Sequence, residues 1–331
     1  MTTRRPALGV LMVVASGILF AVNGTVSKLV LQAGIEAPQL TLIRAAGAFT
    51  GLLALSLLLR PGPRRLRITV RELPLLIGYG LTGFFLVPML YFVAISRLPV
   101  GIALLFEYTA PLFVALWARF GQRQQVRPRL WGGMALSLIG LAGVAEVWGG
   151  LRLDGIGVLA GFSAAVLLAI YYVLGAHGVR TRDSLSLTTW AFGTSAVVGL
   201  LTRAATAGTG GWEPLGQSSG GVPVLLLCAY VVLLGSIAPF LLVAGGLRHL
   251  PATSVGIIGM IEPVLAAGIA WLTLGAGEAL SAAQLAGGTL VLVGVAIAET
   301  ARVRAPAAEP PTAPDVLVDA GSRSTGTVSS G

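Results

Sequence analysis

Charge is what this chain has least of. Of its 331 residues 11% are Asp, Glu, Lys or Arg, against 55% hydrophobic. A water-soluble fold of this length needs far more polar surface, so the composition excludes one and defines an integral membrane protein. The net charge of +9 does not indicate a nucleic-acid partner, because the arginines stand in short clusters between apolar runs and share no face with aromatic or polar neighbours. One cysteine, Cys228, excludes an intramolecular disulfide and a cysteine metal cluster. The two histidines, His177 and His249, fall between apolar runs with no third ligand near, so no metal is expected. Glycine-rich phosphate loops, nucleophile elbows and His-Glu-His zinc spacings are missing, and the connecting segments are too short for an ATPase domain. No Asp or His lies inside an apolar run. An enzyme, a cofactor and a primary pump are therefore not expected.

What the chain does have is long apolar runs. A helix crossing a hydrocarbon core of about 30 Å needs roughly 20 mainly apolar residues. Ten runs qualify: 8–30, 37–59, 72–95, 99–119, 129–148, 155–175, 185–205, 222–245, 251–274 and 281–300. The first follows Arg4 and Arg5, but it is too long for a signal peptide and has no small-residue cleavage site, so it reads as an anchor. With both termini cytoplasmic, sixteen arginines lie inside, against Arg97, Arg152 and Arg203 outside, as the positive-inside rule requires. A single lysine among 22 basic residues, with abundant Gly and Ala, matches a GC-rich bacterial genome and so a cell (plasma) membrane location. Residues 206–221 form a Gly/Ser-rich outer loop, and 303–331, rich in Pro, Ala, Ser and Thr, read as a disordered cytoplasmic tail.

The chain also repeats itself. LPVGIALLFEYTAPLFVA at 98–115 matches LPATSVGIIGMIEPVLAA at 250–267, so that Pro99 faces Pro251 and Pro111 faces Pro263. Gly133 and Gly140 face Gly287 and Gly294, Gly9 faces Gly157, and Asn23 faces Tyr171. Five runs per copy is an odd number, which forces the second copy to enter the membrane from the opposite side. The expected fold is thus an all-α membrane protein of ten transmembrane helices in two inverted five-helix repeats, 7–149 and 152–301. That symmetry marks secondary transporters, in which one repeat rocks against the other around a midplane site.

These stretches, with FAVNGTVSK at 20–28, APQLTLIRAAGAF at 37–49 and EPVLAAGIAWLTLGAGE at 262–278, resemble the EamA domains of the drug/metabolite transporter superfamily over roughly residues 7–300. One departure is that the Gly-Glu closing the fourth helix of a repeat stands as Gly277-Glu278 in the second copy but as Gly121-Gln122 in the first. The resemblance implies a central cavity lined by helices 1, 3, 4, 6, 8 and 9 and transport of a small metabolite such as an amino acid. It leaves the substrate open.

The charges inside the runs include Lys28, Arg44, Glu107, Glu146 and Glu262. Each costs on the order of 3 kcal/mol on insertion scales and needs compensation. Counting about 1.5 Å per residue puts Asn23, Arg44 and Glu107 at one depth in the outer half, which predicts an Arg44–Glu107 ion pair with Asn23 beside it. Such a pair either locks helices together or holds a substrate, Arg44 its carboxylate and Glu107 its ammonium or a proton. Glu262 sits near the midplane with no counter-ion in its own repeat, and reads either as a proton-coupling carboxyl or as an acid bonded to the backbone carbonyl that Pro263 frees. Tyr91 and Tyr171 are phenols that either reach a ligand or pack. Pro111 and Pro263 are hinge candidates or static bends. Lys28 and Glu146, near the outer interface, are expected to snorkel. The glycine pairs 132–133 and 287–288 serve either packing or a homodimer. The expected function is export of a small metabolite by alternating access with proton coupling, the lipid bilayer being the other partner; the alternatives are an uncoupled facilitator and a non-transporting sensor or scaffold. The orientation is checked with reporter fusions: alkaline phosphatase is inactive on either terminus and active when inserted near Gly210.

Overall fold

A computed structural model of the protein describes residues 5–59, 66–121, 123, 128–144, 153–181, 184–205, 211–246, 249, 258–259 and 261–301. The expected tail at 303–331, Gln122, Glu146 and the second-copy stretch 250–257 lie outside the described residues. The apolar runs are helices, numbered in chain order as α1 Pro6–Gln32, α2 Ala37–Leu59, α3 Leu73–Arg97, α4 Val100–Gly121, α5 Pro128–Val144, α6 Gly155–Thr181, α7 Ser184–Ala205, α8 224–246, α9 Ile261–Leu274 and α10 Ala282–Ala301. Among the described residues seven of them, α1–α4 and α6–α8, are long and apolar enough to cross a membrane. The apolar parts of α9 and α10, Ile261–Leu274 and Ala282–Ile297, are shorter, and α5 runs 17 residues. Among the described residues, then, seven of the ten expected spans reach full length and the other three are shorter helices.

Proline and glycine set several of the ends. Pro6 opens the first turn of α1, where a missing N–H costs nothing. Gly34 and Gly275 follow α1 and α9 at φ +101° and +84°, conformations that a side chain would strain. Large apolar side chains such as Leu11, Leu58 and Leu272 are exposed on the outer surface, as a lipid-facing bundle requires.

The packing obeys an exchange symmetry. Helix α1 packs on α8 and α9, while its repeat mate α6 packs on α3 and α4. Helix α2 pairs with its own mate α7, α4 with α9, and α5 with α10. Swapping the two halves maps this set of contacts onto itself. The α5–α10 crossing is close enough for backbones to touch: a Cβ on Gly140 would stand 2.6 Å from the Gly287 carbonyl, and one on Gly294 would stand 2.6 Å from that of Gly133. These small residues are used within the chain, and Ser137 adds a hydroxyl bond to the Val291 carbonyl at 3.3 Å.

Two features were not legible as such. Helices α3 and α8 each widen into a π-helical turn, at Gly80–Leu86 and Leu233–Ile237. The described part of the outer loop is folded: a short 3₁₀ turn, Glu213–Gly216, precedes a hairpin pairing Ser218–Ser219 with Val222–Pro223, with Gly220 and Gly221 at positive φ in its turn. Replacing Gly140 with Val forces α5 and α10 apart and is expected to cost about 1–3 kcal/mol, read as a lowered melting temperature in detergent. At Gly132, where an added Cβ meets open space, Ala is expected to change stability by less than about 0.5 kcal/mol.

Candidate functional site

The π-helical turns position the site. An extra residue in a turn interrupts the regular hydrogen bonding, and at each turn a hydroxyl bonds a backbone carbonyl. In α8 Ser236 does this locally, its hydroxyl donating to the Val231 carbonyl at 2.8 Å. In α3 the Phe84 carbonyl accepts from Ser195 of α7 at 2.9 Å. Each turn also offers a glycine to the opposite repeat. A Cβ on Gly83 would fall within the Tyr171 ring of α6, and a Cβ on Gly235 would meet the Asn23 side chain of α1. Asn23 and Tyr171 are repeat mates in the sequence, and each sits in the notch made by the other half's π-helical turn.

Arg44 is placed by the same α8 turn. Its Nε donates to Ser236 Oγ at 2.9 Å, and its guanidinium lies over the Phe192 ring at 5.3 Å. Ser236 thus donates one hydrogen bond and accepts another, which fixes its rotamer. Arg44 is 7% exposed, yet its Nη1 has no partner, and neither has the Oδ1 of Asn23 beside Gly235. The expected Arg44–Glu107 ion pair is not formed: Glu107 is half-buried and has Arg44 within Coulombic reach without touching it. Equal depth along two helices made the pair plausible, but rotation about the helix axes turns Arg44 toward α7 and α8, where Phe192 and Ser236 wait. The result is a held guanidinium with an unpaired Nη1, near enough to Glu107 for each to feel the other's charge.

The phenols form two sets. Tyr171 stacks on Tyr79 at 4.7 Å between ring centres and exchanges a hydroxyl bond of 3.2 Å with it, inside a cluster of Phe84, Phe192 and Phe240. Tyr91 is buried in α3 with Glu107 and Glu262 in Coulombic reach. Tyr108, which was not among the site candidates, hydrogen-bonds both Glu262 Oε2 and the Gly259 carbonyl at 2.9 Å. That carbonyl is the one Pro263 leaves without its helical N–H. The expected bond from Glu262 to the freed carbonyl is therefore replaced by a phenol from the other repeat, which reaches both groups. Near the hinge candidate Pro111, α4 is interrupted: its first half ends at Glu107 and its second begins at Ala110, and Thr109 turns back to the Phe106 carbonyl through both its N–H and its hydroxyl.

Lys28 corrects the snorkelling expectation. Its ammonium pairs with Glu278, itself 4% exposed, and donates to the Leu98 carbonyl at 2.8 Å. The second oxygen of Glu278 accepts the Val100 N–H at 2.8 Å, so the carboxylate caps the start of α4 while holding α1. Sequence depth alone could not find this, because the partner lies 250 residues away; the Gly-Glu at 277–278 was the signal.

A repeated helical bundle with polar groups gathered at its centre, and a lipid-facing exterior, defines a membrane transporter. The chain belongs to the EamA-like transporter family, whose model matches residues 7–145 and again 155–300. It is 27% identical over 276 residues to an uncharacterized transporter of Archaeoglobus fulgidus, covering 83% of this chain and 91% of that one. Against the uncharacterized transporter YdfC of Bacillus subtilis it is 25% identical over 228 residues, or 68% and 71% of the two chains. A solved structure, titled only as a crystal structure of a protein, shares the fold with a TM-score of 0.60 at 23% identity, covering 90% of this chain and 99% of that chain. The family and the named relatives point to a transporter and away from an enzyme.

Removing one partner of the Lys28–Glu278 pair strands a buried charge. Lys28→Ala is expected to destabilise the protein by about 3–5 kcal/mol, and Lys28→Met combined with Glu278→Gln to recover most of that, as measured by thermal unfolding in detergent.

Proposed function

We propose that this protein is an alternating-access carrier of a small zwitterionic metabolite of the amino-acid class, working as a proton-coupled exporter of the plasma membrane. The carrying observation is the unpartnered edge of Arg44. A guanidinium has five donors in a rigid fork suited to a carboxylate, and here one is spent on Ser236 while Nη1 is buried and unpaired. A buried donor without a partner is costly, and a bound carboxylate removes that cost. The unpaired Asn23 Oδ1 and the half-buried Glu107 carboxylate supply acceptors for an ammonium. Nearby, Phe192, Tyr171 and Tyr79 present a wall suited to an apolar side chain.

The arginine distribution supports ten helices with both termini inside, an arrangement that sets these groups between two repeats of opposite sense, where rocking exposes them to each side in turn. Proton coupling needs a carboxyl at membrane depth that meets both water and a moving element, and Glu262 is suited to it: it is half-buried and bonded across the repeat interface to Tyr108. Export is the direction in which protons entering down their gradient do useful work on a substrate made inside.

Counterflow in proteoliposomes tests the reading. Vesicles preloaded with a mixture of unlabelled amino acids are expected to take up labelled amino acids from that mixture. Arg44→Ala is expected to lower the initial rate at limiting substrate by about 10–100-fold, the loss of a charge-assisted hydrogen-bond pair. Counterflow unchanged in Arg44→Ala would overturn the placement of the carboxylate, and none in the wild type would overturn the carrier reading itself.

A further inference from the structure

We infer that Tyr108 is the element that converts the protonation state of Glu262 into a conformational state of α9. The inference rests on Glu262 as the proton-coupling carboxyl and adds how its proton is felt.

The argument is a count of hydrogens. Pro263 has no N–H, so the Gly259 carbonyl, one helical turn earlier, depends on an outside donor. The described donor is the Tyr108 hydroxyl, at 2.9 Å. The same oxygen is 2.9 Å from Glu262 Oε2. A phenol has one hydrogen to give and can also accept. When Glu262 is protonated, its O–H donates to Tyr108 and Tyr108 donates to Gly259, so every group in the chain is satisfied. When the proton passes to solvent water, two acceptors compete for one phenol hydrogen. The carboxylate wins, because a hydrogen bond to an ionised acceptor is roughly twice as strong as a neutral one. The Gly259 carbonyl is then left without a donor, and α9 loses its support at the residue where the proline already weakens it.

Among the described residues the surroundings supply no substitute. Helix α9 packs on α1 and α4. The charged residue of α1 is Lys28, which Glu278 engages. From α4 come Tyr108 and Glu107, and Glu107 has no hydrogen to offer as a carboxylate; Tyr91 of α3 is the other titratable group in reach of Glu262, while Tyr172 of α6 reaches Tyr108. Tyr108 itself stands in the break between the two halves of α4, so any movement of that break changes its distance from α9. The proton site, the α4 interruption and the α9 proline thus share one hydroxyl group, contributed by one repeat to the other.

Spin labels on Ser96→Cys and Leu272→Cys, in a Cys228→Ala background and without substrate, report the position of α9 against α3. In otherwise wild-type protein the distance distribution is expected to shift between acidic and alkaline pH. Tyr108→Phe, which keeps the ring and removes the hydroxyl, is expected to abolish the shift, and Glu262→Gln, which keeps a donor facing Tyr108 at every pH, to hold the acidic distribution throughout. Gradient-driven accumulation of the labelled amino-acid mixture is expected to fall by about tenfold in Tyr108→Phe while counterflow persists. A pH shift that survives Tyr108→Phe, or a wild-type distribution indifferent to pH, would overturn the inference. Should Tyr108→Phe elute misfolded, Glu262→Gln decides alone, and a retained shift there is equally fatal. Absence of counterflow in the wild type would instead remove the carrier reading and leave the label measurement intact.

Discussion

An interior without water obliges every buried polar group to find its partner inside the bundle, and the arrangement of this protein follows from that obligation. Prolines and π-helical turns interrupt the helical ladder in α3, α4, α8 and α9, and Pro88 and Pro263 leave the Phe84 and Gly259 carbonyls without a helical N–H. Ser195 from α7 and Tyr108 from the opposite repeat donate to these two carbonyls, while Ser236 and Thr109 donate to carbonyls of their own helices. Because two of these hydroxyls, those of Ser236 and Tyr108, also bond charged groups, backbone irregularity and ionic chemistry occur at the same places. Arg44 is held by the hydroxyl that satisfies the α8 turn. Glu262 shares the one that satisfies the α9 proline.

Two contacts in the bundle are built differently from the site around Arg44. Near the start of α4, Lys28 and Glu278 satisfy each other and two backbone groups as well, which joins three segments through a closed network. At the α5–α10 crossing glycines bring backbones into contact. Both are fully paired and suited to holding shape. By contrast Arg44 Nη1 and Asn23 Oδ1 remain unpaired, as do the hydroxyls of Thr25, Ser27 and Ser56. A transporter needs this division, since a substrate exchanges its hydration only for partners that are not already engaged.

Much of this was legible in the sequence. Low charge and long apolar runs announced the membrane, and the matched Pro and Gly positions announced the repeat, which the exchange symmetry of the helix contacts and the double family match bear out. Asn23, Arg44, Glu107, Tyr171 and Glu262 could be singled out as candidates because polar groups at membrane depth are rare. Their partners were not. Arg44 pairs with Ser236 at a distance of 192 residues, Lys28 with Glu278, and Tyr108 with a helix from the other copy. Depth along a helix is readable from residue count, but the direction in which a side chain points around the axis is settled by packing. The π-helical turns were equally hidden, because an inserted residue leaves composition and hydropathy unchanged.

The central claim is that the free edge of Arg44 and the facing acceptors form a receptor for both ends of a zwitterion. Calorimetric titration of the purified protein with amino acids, their amides and their N-acetyl derivatives tests it most directly. The account predicts that free amino acids bind and that capping either end weakens binding by about tenfold or more. Amides and N-acetyl derivatives that bind as well as the parent amino acids would contradict it.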